Sequence, residues 1–219
     1  MQIGQAQANR KPGRPSSGQR VDSRQALIDA ARELFARYGY DEVSTKRIAD
    51  AAGVNPAMIR YHFGSKAGLL ETAFDEALGV IVNELGTLSE RGGEAGFERV
   101  LSLYIGTIAA NPWLPKMILQ HVLPEGGRLQ KRAANRISTG VAPVVRELVA
   151  RGQANGKLRA ELDPRLTMVS LVSLALFPFL AQPLLKRVLG VELDDALVSA
   201  FIEHTSLMFH RGAGVDHAA

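Results

Sequence analysis

The sequence predicts an all-α protein with a small basic N-terminal unit and a larger, more apolar C-terminal unit. Most segments carry apolar residues at the spacing of a helix face, and glycine or proline separates these segments. No segment shows the sustained two-residue alternation that is typical of strands. With 219 residues, 46% of them hydrophobic and 22% charged, the chain is long and apolar enough to bury a core.

The first predicted helix ends at Gly39. Its N-cap is expected at Asp22 or Ser23, because either side chain can accept a hydrogen bond from the first turn. Glycine directly after the last periodic residue is a common helix stop. The apolar face follows the i, i+3, i+4, i+7 rule at Leu27, Ala30, Ala31, Leu34, Phe35 and Tyr38.

Two very short helices are predicted on either side of Gly53. Ser44 is expected to cap the first, and Gly53 occupies the position where a left-handed glycine ends a helix. Asn55 is expected to cap the second, with Pro56 in its first turn, where a missing N–H has no cost. Two short helices joined by a three- or four-residue turn with a glycine are typical of a helix-turn-helix, whose second helix enters the major groove of DNA.

The rest of the chain is predicted to be helical as well. A long helix over residues 65–88 has a continuous apolar face, and we expect it to link the N-terminal unit to the C-terminal unit. Further helical segments, bounded by glycine and proline, are predicted at 94–110, 112–122, 127–153, 164–185 and 193–210.

Positive charge is concentrated in the N-terminal third. The whole chain has a net charge of +4, but residues 1–66 contain 11 lysines and arginines against 6 acidic residues, whereas the remainder contains 15 against 16. The first 20 residues hold four basic residues and no acids in a Gly/Pro/Ser-rich context, which predicts a flexible basic arm. This distribution favours a polyanion as the partner of the N-terminal unit.

Residues 26–70 resemble the DNA-binding domain of TetR-family transcriptional regulators. Three landmarks carry the resemblance, in the order "LFARYGY", "STKRIADAAGV" and "IRYHFGSKAGLL". The resemblance implies a homodimer that places two recognition helices in successive major grooves of a double-stranded DNA operator. It also implies a C-terminal helical domain that binds a small-molecule effector and forms the dimer interface.

The family's DNA contacts carry over residue by residue. Thr45 and Lys66 resemble positions that contact phosphates, and both lie at predicted helix N-termini, where the helix dipole also favours anions. Position 60 is commonly aromatic in the family but is Arg60 here, which can read a guanine or grip a phosphate. A solvated polar face is the alternative for residues 60–62. The predicted DNA-binding set in this domain is Ser44, Thr45, Lys46, Asn55, Pro56, Ala57, Arg60, Tyr61, His62 and Lys66.

The basic arm supplies further predicted DNA contacts. Its stretch "RKPGRP" resembles an AT-hook core, in which arginine flanked by glycine and proline lies in the narrow minor groove of A·T-rich DNA. Arg10, Lys11 and Arg14 are therefore predicted to contact DNA. A tail without a role is the alternative.

A ligand pocket and a dimer interface are predicted in the C-terminal unit. Large apolar side chains with a few polar groups suit a small-molecule site, and the candidates are Phe97, Tyr104, Trp113, Met117, His121 and Phe177. Core packing is the alternative for each of them. Two apolar stripes are expected to form the dimer interface, one with Leu166, Val169, Val172 and Leu176, the other with Leu193, Leu197, Phe201 and Met208.

Catalysis, cofactors and metals are not predicted. The chain has no cysteine, which removes thiolate chemistry and suits a reducing cytoplasm. It contains no GxSxG, HExxH or GxxxxGK motif, and His204 and His210 lie on different helix faces. The N-terminus lacks the apolar stretch of a signal peptide. Segment 166–185 is long enough to span a membrane but contains four polar residues and two prolines, which favours a buried or interface helix.

These observations together predict a cytoplasmic, homodimeric, ligand-responsive transcriptional regulator. We expect a repressor that a small apolar or amphipathic effector releases from a quasi-palindromic operator. The expected domains are a flexible basic arm at 1–20, a helix-turn-helix domain at 21–66, a ligand-binding and dimerisation domain at 67–212 and a flexible tail at 213–219. The alternatives are a non-specific architectural DNA-binding protein, or a small-molecule-binding protein or enzyme without DNA recognition.

Overall fold

The computed structural model describes residues 17–90 and 97–214, and over these residues the all-α prediction is confirmed. This part of the chain contains no β-strand, only an isolated bridge between Leu158 and Gly214. The helices are α1 (Ser17–Tyr38), α2 (Thr45–Ala51), α3 (Ala57–Phe63), α4 (Lys66–Glu90), α5 (Phe97–Ala109), α6 (Leu114–Met117), α7 (Gln130–Arg136), α8 (Ala142–Ala154), α9 (Pro164–Leu180), α10 (Gln182–Leu189) and α11 (Asp195–Ala213). A first π turn covers Ile118–Val122 and a second covers Ile137–Val141. The predicted arm contacts Arg10, Lys11 and Arg14 lie outside the described residues.

Helix α1 is longer at its N-terminal end than the sequence predicts. It begins at Ser17 and not at an N-cap formed by Asp22 or Ser23, so residues 17–20, which the sequence assigns to the flexible arm, are helical. The added turn is polar and has no apolar periodicity, which explains why the hydrophobic pattern does not detect it. Gly39 stops the helix as predicted, with a φ of +84° and its N–H bonded to the Phe35 carbonyl at 2.9 Å.

A first hydrophobic core, called here the N-terminal core, joins α1–α4 to the segment around α6 and α7. Its largest fully buried side chains include Leu27, Phe35 and Phe74. The cluster also contains Trp113, Leu114, Met117, Leu129 and Ala133, which are distant in sequence. The carboxylate of Glu76 on α4 pairs with Arg24 and Arg32 of α1 at 3.1 and 3.0 Å. This core therefore continues past residue 66, where the sequence suggests a domain boundary.

A second core, called here the C-terminal core, is built from α5, α8, α9 and α11. Its buried residues are Leu101, Ile105, Val145, Val149, Leu171 and Ala175, and half-buried residues of α11 such as Phe201 and Ile202 pack against them. A smaller cluster of Ile81, Leu85, Val100 and Leu148 connects this core to the second half of α4. Helix α4 thus contributes side chains to both cores, as expected of a linking helix.

The segment predicted as one helix over 164–185 is two helices. Helix α9 ends at Leu180, α10 begins at Gln182, and the two axes differ by 72°. Pro183 lies in the first turn of α10, where its missing N–H needs no partner, whereas in one continuous helix its ring would clash with the carbonyl of Phe179. No single described helix is long and apolar enough to cross a membrane. Helices α9 and α10 reach the length and apolar composition of a membrane span only when they are counted together, and they are bent by 72°.

A proline also explains the interruption of the segment predicted over 127–153. Pro143 lies in the first turn of α8 and has no N–H to donate to a carbonyl four residues earlier. Just before it, Ile137–Val141 form the second π turn. A π turn allows a helix to continue where one backbone hydrogen bond is missing. The chain therefore runs from α7 through the second π turn into α8 as one rod.

Candidate DNA interface and ligand cavity

The turn between α2 and α3 is held by side-chain caps and a left-handed glycine. Ser44 Oγ accepts a hydrogen bond from the Arg47 N–H at 3.1 Å, and Asn55 Oδ1 accepts one from the Ala57 N–H at 2.8 Å. Gly53 has a φ of +66°, as the sequence predicts for the glycine that ends α2. These contacts fix two short helices at a tight turn, which is the geometry that a helix-turn-helix requires.

Helix α3 presents polar side chains on its outer face. Ile59 is buried in the N-terminal core and holds the helix there. The next two residues, Arg60 and Tyr61, are exposed, and 65% of Tyr61 is accessible to solvent. Ala57 and Pro56 give the exposed start of the helix a small profile. An arginine and a phenol on the exposed face of a short helix are donors that can reach base edges or phosphates.

His62 is placed differently from its neighbours in the predicted DNA-binding set. Its imidazole is half-buried, and Nε2 lies 3.1 Å from Ser23 Oγ of α1. Its ring also contacts the rings of Tyr61 and Phe63, with centroids 4.9 and 5.8 Å apart. In this arrangement His62 joins α3 to α1 and packs against Tyr61.

Lys66, at the start of α4, is tied to the loop between α1 and α2. Its ammonium donates to the carbonyls of Tyr40 and Val43, both at 2.9 Å, and lies 4.1 Å from the centre of the Tyr40 ring. Burial lowers the pKa of Lys66, Asp41 opposes this shift, and Arg128 adds to it. An ammonium has three N–H donors, so one remains for a phosphate while two hold the loop.

Thr45 and Lys46 begin α2 with exposed side chains, beside the cap formed by Ser44. The neighbouring Arg47, which is not among the predicted contacts, stacks on the Tyr38 ring with its guanidinium carbon 3.8 Å from the ring centre. The first turn of α2 therefore exposes two basic side chains and free backbone N–H groups, a combination that suits phosphate oxygens.

The five predicted ligand residues whose side chains the structure describes are spread over different parts of the molecule. Trp113, Met117 and His121 are buried against the N-terminal core or its rim, and Phe177 is 60% exposed on α9. Phe97 begins α5, and its side chain is outside the described set. Among the predicted ligand residues whose side chains the structure describes, Tyr104 lines the small apolar cavity described below. The sequence pattern identifies large apolar side chains, but it does not report which of several clusters each one joins.

A small apolar cavity lies between α4, α5, α8 and α9. Its volume is about 30 Å³, which is room for one water molecule. The lining residues are Ile81, Leu85, Val100, Leu101, Tyr104, Val141, Val145, Met168, Leu171 and Val172. The phenol of Tyr104 is the one hydroxyl in this lining, and burial raises its pKa to about 12. The cavity therefore has an uncharged, apolar lining in which the Tyr104 hydroxyl is the one hydrogen-bonding side-chain group.

A larger open groove of about 490 Å³ lies on the outer side of the same α4–α5 pair. Val80 and Glu84 of α4 face it, next to the cavity-lining Ile81 and Leu85. From α5 and the residues after it the groove receives Arg99, Ser102, Leu103, Gly106, Thr107, Ala110 and Asn111. Since both concave sites use α4 and α5, a change in the separation of these helices alters both.

Helix α4 is also joined to α7 by ion pairs. Arg132 contacts Glu71 and Asp75, each at 2.5 Å, and Arg136 reaches Asp75 at 3.5 Å. Although partial burial acts in the opposite direction, the two carboxylates raise the pKa of Arg132. The rod that contributes Val141 and Val145 to the cavity therefore starts with charged contacts to the first half of α4.

An exposed short helix on a fixed helix-turn-helix, joined by one long helix to a second helical core with a cavity, defines a DNA-binding regulator with a separate helical domain. The comparisons with known proteins agree. Residues 27–73 match the bacterial regulatory proteins of the tetR family, and residues 94–206, more than half of the chain, match the tetracyclin repressor-like C-terminal domain. The chain belongs to the TetR family of transcriptional regulators, which are not enzymes.

Individual relatives share part of the sequence. The HTH-type transcriptional repressor BdcR of Escherichia coli K12 is 42% identical over 71 residues, which is 32% of this chain and 34% of BdcR. The fatty acid metabolism regulator protein of Bacillus subtilis 168 is 25% identical over 142 residues, 64% of this chain and 73% of that protein. The chain thus spans about a third of the length of BdcR.

Solved structures share the whole fold. NalD, the secondary repressor of the MexAB-OprM multidrug efflux pump in Pseudomonas aeruginosa, superimposes with a TM-score of 0.66 at 23% identity, over 90% of this chain and 99% of NalD. FadR from Bacillus subtilis, solved in complex with stearoyl-CoA, gives 0.60 at 22% identity, over 82% of this chain and 95% of FadR. At these identities the likeness extends to the fold alone.

Proposed function

We propose that the protein is a ligand-responsive, sequence-specific repressor that binds a quasi-palindromic operator as a homodimer and is released by a small apolar or amphipathic effector. The observation that carries the proposal is the double role of α4. Its first half lies in the N-terminal core beside the recognition helix, and its second half lines the apolar cavity with Ile81 and Leu85.

The effector class follows from the lining of the cavity. Among its ten lining residues there is no charged side chain, so a carboxylate, phosphate or ammonium inside it would be desolvated without a partner. An apolar molecule, or the apolar part of an amphipathic one, has no such cost, and Tyr104 can exchange one hydrogen bond with it. At about 30 Å³ the cavity is too small for an effector, so an effector must separate the surrounding helices as it binds.

This separation is the proposed link to DNA. An effector that binds better to a form with α4 displaced lowers operator affinity by its differential affinity for that form. A reduction of about 5- to 150-fold corresponds to about 1–3 kcal/mol of coupling. The distance between the two recognition helices, about 34–36 Å in a dimer on successive major grooves, is the variable that such a displacement changes.

The proposed dimer uses the exposed apolar side chains of α9 and α11. Leu166 and Val169 are 67% and 60% exposed on α9, and Met208 is 54% exposed on α11. Large apolar groups at this level of exposure on two helices that both pack against α5 are typical of a surface that another chain covers. Leu176, which the sequence also assigns to the stripe, is buried within the chain.

The experiment that tests operator binding is fluorescence anisotropy with DNA from upstream of the protein's own gene, against a scrambled duplex at near-physiological salt. We expect binding to the native fragment about a thousandfold tighter than to the scrambled duplex, or more. Equal binding to both would favour a non-specific architectural protein, and absence of salt-dependent binding would contradict DNA recognition altogether. With an operator in hand, apolar compounds that dissociate the complex identify the effector.

A matched variant series separates base reading from phosphate contact at Arg60. If Arg60 reads a base, Arg60→Ala should relax the preference at one operator position by about 1–3 kcal/mol. If it grips a phosphate, all sequences should weaken alike and the salt slope should fall by about 1. Competition binding over single-base operator variants distinguishes the two, and Arg37→Ala, an exposed arginine at the end of α1, is the control.

A further inference from the structure

We propose that Arg128, in the loop before α7, contacts a DNA phosphate next to Lys66, so that the DNA interface includes a residue of the C-terminal half of the chain. The inference rests on the proposed operator binding. Arg128 is absent from the contacts that the sequence predicts, because it lies 62 positions after Lys66 in a segment with no DNA-binding motif.

Two cations meet at one aromatic ring. The Tyr40 ring centre lies 4.1 Å from the Lys66 ammonium and 5.0 Å from the guanidinium carbon of Arg128. The two positive groups are therefore closer together than the Debye length of about 10 Å at 0.1 M salt, and each adds to the potential at the other. An anion that binds at this point interacts with both.

Neither cation has a neutralising partner in the described part of the chain. There, no carboxylate lies within ion-pair distance of either Lys66 or Arg128. Asp41 is near enough to act on the pKa of Lys66 but forms no ion pair with it, and Glu71, in the next turn of α4, is held by Arg132. Arg128 is exposed, so its N–H groups are accessible to an anion.

One cation of the pair, Lys66, lies directly after the recognition helix. Helix α3 ends at Phe63 and α4 begins at Lys66, with Gly64 in the left-handed region at a φ of +73°. When a recognition helix lies in the major groove, the phosphate backbones run along its two sides. Lys66 therefore sits at the edge of the groove, and Arg128 extends the positive surface from there.

The loop that carries Arg128 is fixed on both sides. The Leu129 N–H donates to the His121 carbonyl at 2.8 Å, the Gly127 N–H donates to the Pro124 carbonyl at 2.9 Å, and the Leu129 side chain is fully buried. The approach at Gly127 is so close that a Cβ there would lie 2.5 Å from the His121 carbonyl oxygen. A held loop loses little conformational freedom when its arginine binds a phosphate, which favours the contact.

The test is the salt dependence of DNA binding by the full chain, measured by anisotropy between 50 and 200 mM KCl on the native upstream duplex and on a scrambled one. Each neutralised phosphate contributes about 0.9 to the slope of log affinity against log salt. For a dimer, Arg128→Gln should therefore reduce the slope by about 2, so that its affinity falls about tenfold less than that of the wild type over this salt range. Both duplexes should respond alike, because a phosphate contact carries no sequence information.

Two further variants keep the test decisive. Arg128→Lys retains the charge and should retain the wild-type slope, and Arg146→Gln, which removes an exposed arginine on α8, should leave the slope unchanged. If Arg128→Gln unfolds early in a thermal melt, Arg128→Met, which keeps an apolar stem against Tyr40, replaces it. An unchanged slope for a folded Arg128 variant would overturn the inference while leaving operator binding intact. A wild type without salt-dependent binding would overturn the proposed function and this inference together.

Discussion

The N-terminal and C-terminal cores differ in how firmly they hold their helices. Around the N-terminal core, Ser44, Asn55 and Ser65 cap successive helix starts, and large side chains such as Phe35 and Phe74 are completely buried. Around the C-terminal core, Asp163 and Asp194 cap α9 and α11 in the same way. Here, however, there are a small cavity, an open groove and several exposed apolar side chains. The part of the molecule that carries the helix-turn-helix has a fixed geometry, and the part proposed to bind an effector has room to change.

This difference does not follow the order of the chain. Trp113, Met117 and Leu129 come from the C-terminal half of the sequence, yet they are buried in the N-terminal core. Helix α4 crosses from one core to the other. A displacement of α4 in the C-terminal core is therefore resisted at its other end by packing that includes α6 and α7, which suits a two-state response better than a gradual deformation.

The largest expected effect is at Gly68, in the first turn of α4, and it tests how tightly the N-terminal core is packed. A Cβ at this position would lie 2.0 Å from the Phe63 carbonyl oxygen, and a backbone atom in the N-terminal core cannot move away cheaply. We expect Gly68→Ala to lower the free energy of unfolding by about 3 kcal/mol, at the upper end of overpacking effects. Urea denaturation followed by circular dichroism measures this change.

The control lies on the same helix. Gly79→Ala introduces the same methyl group where no atom lies within 4 Å, and it should raise stability by about 0.5–1 kcal/mol because alanine is the better helix former. If both alanine variants were equally stable, the backbone at the start of α4 would adapt to the added methyl group. This result would contradict the firm packing that we assign to the N-terminal core.

The second prediction concerns two residues that the sequence assigns to one ligand pocket. Met117 is fully buried in the N-terminal core, and Phe177 is 60% exposed on α9. Met117→Ala should cost about 2–4 kcal/mol of unfolding free energy through lost burial and a residual cavity. Phe177→Ala should leave the unfolding of a dilute, monomeric sample unchanged and should weaken self-association in sedimentation velocity. A similar loss of stability for both variants would contradict this placement.

These two residues also show how far the sequence reaches. Helix class, the caps at Ser44 and Asn55, and the stops at Gly39 and Gly53 are local events, and all of them could be predicted from a few neighbouring residues. The membership of Met117 or Trp113 in a particular core depends on contacts between distant segments, which helical periodicity does not record. His62 illustrates the same limit at the DNA interface, because its contact with Ser23 comes from the crossing of α1 and α3.

The third prediction uses Tyr104 to test burial at the cavity. Its pKa is about 12 in the folded chain against a usual 10.0, so the unfolded chain ionises first as the pH rises. The contribution of Tyr104 to stability is therefore complete below pH 10 and is lost between about pH 10 and 12, by about 2 kcal/mol at pH 11.5. Tyr104→Phe should lack this part of the alkaline destabilisation in urea titrations from about pH 8 to 11.5.

The matched control is Tyr61→Phe, which removes an exposed hydroxyl in the DNA-binding region. Its free energy of unfolding should stay near the wild-type value, because the substitution lies on the exposed surface. A Tyr104→Phe curve that also follows the wild type would indicate a hydroxyl in contact with water, and the cavity would then be open to solvent in the free protein. In that case an effector would need less separation of the helices than the cavity volume of about 30 Å³ implies.

The smallest expected effect lies at two sets of ion pairs, one between α4 and α7 and the other within α8. Arg132 bridges Glu71 and Asp75 of α4, while Arg151 pairs with Glu147 inside α8. Both arginines are partly exposed, so screening by water limits each contribution. Arg132→Gln should cost about 1 kcal/mol in low salt, because two carboxylates lose their partner, and Arg151→Gln about 0.3–0.5 kcal/mol, as for other pairs one turn apart.

The difference between these two variants should shrink in 1 M salt, where exposed charges are screened over about 3 Å. Arg132 has a further consequence that Arg151 lacks, since it joins α4 to the rod that reaches the cavity through Val141. If this charged contact helps to transmit effector binding, Arg132→Gln should reduce the effector-induced loss of operator affinity, whereas Arg151→Gln should leave it unchanged. Equal induction in both variants would indicate that the apolar contacts of Leu129 and Ala133 transmit effector binding instead. Helices α4 and α7 would then move together because of their packing and not because of their charges.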